Sequence, residues 1–178
     1  MKKTTDLCST IVLSATILFT SCSGGAGEQP AQPSSAELMA AAEELDSLFL
    51  VAFNSGDADG LMLLYWNSPE LRAYPPGEAQ QTGYDVVKEA MTKEFEANKG
   101  AMLEYTSTNN LVFADGVIGH GTFRWTMPME GGEPMVMDGR YTEVKEMKDG
   151  RMVITVDHTS APMPPPQEVV EGDSPTHE

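Results

Sequence analysis

A chain of 178 residues with 27 acidic and 11 basic side chains, and a formal net charge of −16, has room for one ordinary domain with tails. So acidic a chain has no electrostatic footprint for nucleic acid and no charge-driven affinity for anionic lipid, so its charge is read as serving solubility.

The first segment is read as a targeting signal and set aside before any fold reasoning. Lys2 and Lys3 form a short positive start, and residues 7–19 form an apolar run softened by Ser and Thr. That run is shorter than the about 20 residues a spanning helix needs. It ends in Phe19-Thr20-Ser21-Cys22. This order resembles the lipobox of bacterial lipoproteins, although Phe19 stands where that pattern prefers Leu. The resemblance implies a signal over 1–21, lipid attachment at Cys22, and a location in the cell envelope. Ser23, rather than Asp, points to the outer membrane by resemblance to enterobacterial sorting. Two or three acyl chains on one cysteine suffice for stable anchoring, so contact with the membrane is expected through the anchor alone. Cys8 leaves with the signal and Cys22 is consumed, so no thiol remains for a disulfide, for catalysis or for a metal.

Residues 22–35 are rich in Gly, Ser, Pro, Gln and Ala and read as a flexible tether. Residues 163–178 read as a disordered, acidic, Pro-rich tail. Between them, 36–162 is the size of one domain. Ser34 and Glu37 fit a capping box, which opens a helix predicted over 35–54. Its stripe is Leu38, Ala41, Ala42, Leu45, Leu48, Phe49, Ala52 and Phe53, with Glu43, Glu44, Asp46 and Ser47 read as lying off it. Gly56 stops this helix, and Asp57 caps a short second one bearing Leu61, Met62, Leu64 and Tyr65. Residues 67–82 hold Pro69, Pro75, Pro76 and Gly77 and read as a loop or a short strand pair. Thr82 and Asp85 suggest the cap of a third helix carrying Val87, Ala90, Met91 and Phe95.

From Met102 the pattern is strand-like. Strands are predicted over 103–113, 117–127, 135–147 and 152–160, with turn signals at Asp115-Gly116 and Asp149-Gly150. The fold class is therefore α+β, with helices packed on one face of an antiparallel sheet.

Several stretches taken together resemble the nuclear transport factor 2-like superfamily, in its SnoaL-like and ketosteroid-isomerase-like branch. They are Asn54-Ser55-Gly56-Asp57-Ala58-Asp59, Gly83 before the third helix, residues 138–144 (DGRYTEV), the turn at Asp149-Gly150-Arg151, and residues 156–160 (VDHTS). The resemblance covers about residues 36–162. It implies a cone, in which a curved antiparallel sheet wraps around about three N-terminal helices and encloses a pocket. It also implies a homodimer formed through the sheet. Members of the superfamily range from isomerases, cyclases and dehydratases to binding modules, so the fold alone does not choose an activity.

Alternation sorts the strand side chains by face. His158 continues the stripe Met152, Ile154, Val156 and is expected to point inward, as a proton-transfer residue at the pocket mouth; Asp157 is expected to face away. His120 and Arg124 share a face with Thr122 and Thr126, as a ligand frame or, preferably, as the outer face of the sheet. Asp138 and Arg140 lie together, and pairing of Asp138 with Arg124 explains them without function. As a general base, Asp138 would need burial. Tyr141 lies on the opposite face of that strand and joins the ligand-contact candidates. Tyr65, Trp66 and Tyr74 fall in the region that, by the resemblance, borders the pocket entrance. The methionines suit an adaptable pocket or simple gap-filling. His120, His158 and Asp138 have no zinc-motif spacing, and neither a metal nor a cofactor is expected.

The sequence thus favours a non-catalytic module binding a small, mainly apolar molecule. The first alternative is a cofactor-independent isomerase, dehydratase or hydrolase with His158 as base, assisted by Asp138 or His120. The second is a structural or partner-docking envelope protein.

Overall fold

The computed structural model describes residues 32–162. The predicted signal, Cys22, the tether as far as residue 31 and the acidic tail lie outside the described residues.

Helix α1 spans Ser35–Ser55. Its capping box is formed: Ser34 N donates to Glu37 Oε2 at 2.7 Å, and Glu37 N donates to Ser34 Oγ at 3.3 Å. It ends at Gly56, whose φ of 68° places it in the left-handed region where a β-carbon is disfavoured. Asp57 then accepts from Gly60 N and caps α2, Ala58–Met62. The proline-rich stretch is a strand pair, β1 (Arg72–Tyr74) and β2 (Gln81–Thr82). Helix α3 spans Tyr84–Ala97, and its N-cap is Gly83 with no side-chain bond, so the expected Thr82 and Asp85 cap is not formed.

Four long strands follow: β3 (Met102–Phe113), β4 (Gly116–Met127), β5 (Met135–Lys148) and β6 (Arg151–Ser160). The curved, unclosed six-stranded sheet runs β2-β1-β6-β5-β4-β3. Neighbours pair antiparallel except β1, which joins β6 in parallel. Asp149 and Gly150, with φ of 51° and 80°, make the tight turn between β5 and β6. In the β3–β4 turn the two linking residues are Ala114 and Asp115, and Gly116 already begins β4.

Helix α1 lies against β3, β4 and β6 and closes the core over the inner sheet face. Leu38, Ala42, Leu45 and Phe49 from α1 meet Tyr65, Leu103, Val117, Phe123, Tyr141 and Ile154 there. Glycines on the strands make room for the large inner side chains. A β-carbon at Gly139 would overlap the Phe123 ring, and one at Gly121 would overlap the Ser107 carbonyl. The Asn54 side chain behaves like a peptide group: Nδ2 donates to Leu103 O at 3.0 Å, and Leu103 N donates to Oδ1 at 2.7 Å.

Two bulges decide which side chains enter the core. One interrupts β3 between Tyr105 and Ser107. The other lies in β6, where Val144 faces Val156 but Lys145 faces Ile154, so Thr155 is the extra residue. A bulge inverts the alternation beyond it. Hence Asp157, not His158, shares the inner face with Ile154: Asp157 is buried and His158 is exposed. This overturns the inward placement of His158.

Candidate functional site

A cavity of about 710 Å³ opens between the inner sheet face, α1, α3 and the loop after β1. Phe49 and Phe53 from α1, Val86, Ala90 and Met91 from α3, and Tyr105, Phe123, Trp125 and Met137 from the strands make its walls largely apolar. The Tyr105 and Tyr141 rings stack at 4.7 Å, and the Tyr141 hydroxyl donates to Thr108 Oγ1 at 3.1 Å.

The deep end is acidic. Glu143 and Asp157 face each other across β5 and β6, and both line the cavity. Glu143 is 2% exposed and Asp157 8%. The Tyr65 hydroxyl donates to Asp157 Oδ2 at 2.7 Å, which leaves Asp157 Oδ1 buried without a partner among the described residues. Lys145, two residues along the same face of β5, has no exposed surface. Its ammonium donates to Asp46 of α1 and lies 3.1 Å from Glu143 Oε2, close enough for an ion pair but off the hydrogen-bond direction. Two acids thus share one ammonium away from water, and a third, Asp157, faces Glu143 across the strand pair.

Burial dominates the proton affinities here. It pushes Glu143 up to about 8; Lys145 opposes the rise, and Asp157 and Asp46 add to it. Burial also raises Asp157, against the Tyr65 hydrogen bond and the charges of His158 and Lys145. Burial lifts Tyr141 to about 12 and holds Tyr65 and Tyr105 well above the usual phenol range, so all three hydroxyls stay protonated at neutral pH. A protonated Glu143 beside Asp157 is an arrangement able to donate to one ligand atom and accept from another.

Most of the sequence-level candidates lie elsewhere. Only Tyr141 lines this cavity, with Tyr65 directly behind it through Asp157. His158 sits outside, its ring edge-on to Tyr74 at 6.1 Å, and Tyr74 is exposed because it pairs with His158 in the β1–β6 register. Trp66 carries the Lys148 ammonium over its ring at 4.8 Å and is absent from the lining. His120 and Arg124 lie on the outer face, as preferred from the alternation. There Arg124 grips Asp138 through two bonds of 2.8 and 3.2 Å. That pairing holds the exposed Asp138 carboxyl below the usual carboxylate range, the opposite of what a general base needs.

The residues that the sequence reading missed are Asp46, Glu143, Lys145 and Asp157. Glu143 and Lys145 were visible in principle, because they share a face with Met137, Gly139 and Tyr141, and charges on an inner stripe signal a buried polar cluster. Asp46 lies four residues after Ala42 and three before Phe49, so it belongs to the buried stripe of α1.

This element order, sheet order and cavity can be compared with solved structures. A nuclear transport factor 2-like superfamily protein from Salmonella enterica serovar Typhimurium superposes with a TM-score of 0.67 at 16% identity, over 79% of this chain and all (100%) of that one. The fold is that of the nuclear transport factor 2-like superfamily. A Streptomyces avermitilis protein of the NTF2-like family, proposed to be a dehydratase, superposes with a TM-score of 0.63 at 16% identity, over 70% of this chain and 96% of its own. An NTF2-like protein of unknown function from Shewanella oneidensis gives 0.56 at 24% identity, over 68% and 98%. No protein-family model matches the sequence, and no curated protein matches it either. Within the NTF2-like cone, the acid-floored cavity occupies the space between helices and inner sheet face, where the resemblance implied a pocket.

Proposed function

We propose that this domain binds a small, mainly apolar molecule in the cavity, with one polar group of the ligand held by Glu143 and Asp157. The observation that carries this reading is the buried Asp157 Oδ1, without a partner among the described residues, at the acidic end of a cavity with largely apolar walls. A buried acceptor without a donor is costly, and a ligand donor removes the cost. Native mass spectrometry of the purified chain tests it. A small-molecule adduct is expected, and Ala90→Trp, which fills the cavity from α3, should abolish it. A persistent adduct in that variant would place the ligand elsewhere.

A second reading is favoured by the proton affinity of Glu143. A carboxyl that titrates at about 8 beside a second buried acid suits general acid–base catalysis, such as dehydration or isomerisation. In this reading Glu143 and Asp157 replace His158 and Asp138 in the catalytic role. Turnover abolished by Glu143→Gln but kept in His158→Ala would establish it.

We further propose that the domain is held at the cell envelope, at the outer membrane, by a lipidated Cys22, and that it pairs with a second copy through the outer sheet face. The signal-like start supports the first proposal. The exposed Leu111 and Val136 on that face support the second. Acyl labelling lost in Cys22→Ser, and a dimer mass lost in Val136→Lys, are the expected results.

A further inference from the structure

We propose that the ligand of this cavity is an organic cation, an amine or quaternary ammonium carried on an apolar body. The proposal rests on the binding reading above.

Among the described residues, the cavity wall carries Glu78, Glu89, Glu94, Glu143 and Asp157 against a single basic side chain, Lys93. The Lys93 ammonium is already held 2.6 Å from Glu89 and is mostly exposed. Behind the floor, Lys145 is engaged by Asp46 and Glu143, so the deep end holds three acids against one ammonium. An anionic ligand would be forced against Glu143 and Asp157. An uncharged apolar ligand would leave Asp157 Oδ1 buried without a partner. A protonated amine satisfies that oxygen by donating an N–H to it and balances the charge as well, whereas a quaternary ammonium balances the charge alone.

The walls act in the same sense. Phe49, Tyr105, Tyr141, Phe123 and Trp125 surround the space above the acids. Aromatic faces attract alkylammonium groups, most strongly where water is excluded.

Proton linkage follows from the same arrangement. Glu143 is faced by Asp46 from α1, Tyr65 from the segment after α2, Tyr105 from β3, Tyr141 and Lys145 from β5, and Asp157 from β6. An entering cation stabilises ionised Glu143, so binding releases a proton in the neutral range and tightens as pH rises.

The test uses tryptophan fluorescence of the full chain titrated with phenyltrimethylammonium, with its uncharged isostere tert-butylbenzene and with 3-phenylpropanoate. The cation should bind about tenfold more tightly than the isostere. Its affinity should rise from about pH 6 to about pH 9 while that of the isostere stays level. Asp157→Asn should cut the preference to about twofold. Equal or tighter binding of the isostere or the anion overturns the cation proposal and leaves the cavity reading standing. A cation affinity that is flat with pH in the unaltered chain also overturns it. Failure of all three probes, together with an adduct-free native mass, overturns both.

Discussion

The Tyr65 hydroxyl donates to Asp157 Oδ2 at 2.7 Å and ties the segment after α2 to β6. Both residues are buried, so the bond has no water to replace it. Tyr65→Phe should therefore cost more than a surface bond. A loss of about 1–3 kcal/mol is expected from urea unfolding, because Asp157 then has neither oxygen paired. A loss near zero would mean that water or a rearranged donor reaches the carboxyl.

Lys145 bridges α1 and β5 through Asp46 and lies beside Glu143. Lys145→Met keeps the bulk but leaves buried carboxylates without a countercharge. A destabilisation of about 3–5 kcal/mol is expected by chemical denaturation. The double variant Lys145→Met with Asp46→Leu should recover a large part of it, since the unpaired charge on α1 is then gone.

Stability should fall as pH rises from the usual carboxylate range through about 8. Glu143 and Asp157 hold their protons more tightly folded than unfolded, so the native state binds more protons across that window. Stability with this sign is fully present at acid pH and is lost on the alkaline side. The lowered carboxyls, Glu37, Asp59, Glu89 and Asp138, act in the opposite sense at lower pH, but they are solvent-screened and weak. Melting temperature against pH should slope downward over this range, and Glu143→Gln should flatten it.

Gly121→Ala should be far more damaging than Gly132→Ala. The first drives a β-carbon into the Ser107 backbone and the Tyr141 ring, whereas the second meets nothing within 4 Å. Losses of about 1–3 kcal/mol and below about 0.5 kcal/mol are expected in equilibrium unfolding. His158→Ala should likewise stay within about 0.5 kcal/mol, because its side chain is exposed, edge-on to Tyr74.

The order of helices and strands was legible because amphipathic stripes, caps and Asp-Gly turns are local signals. The capping box at Ser34 and the turn at Asp149-Gly150 formed as read. The site was less legible for a specific reason. One extra residue at Thr155 exchanges Asp157 for His158 on the inner face, and nothing local in that strand announces it. Asp46 was misread because it is charged, although its position on α1 belongs to the buried stripe. Its partner, Lys145, lies 99 residues away, so the compensation that permits its burial has no local signature.

The amide of Asn54 occupies both backbone groups of Leu103. Strand β3 is the last in the sheet, and its outer rim would otherwise present free peptide groups to any extended chain nearby. A single side chain at the end of α1 occupies that rim at Leu103, so the same residue that ties the helix to the strand also takes one pair of edge peptide groups out of reach of templated growth.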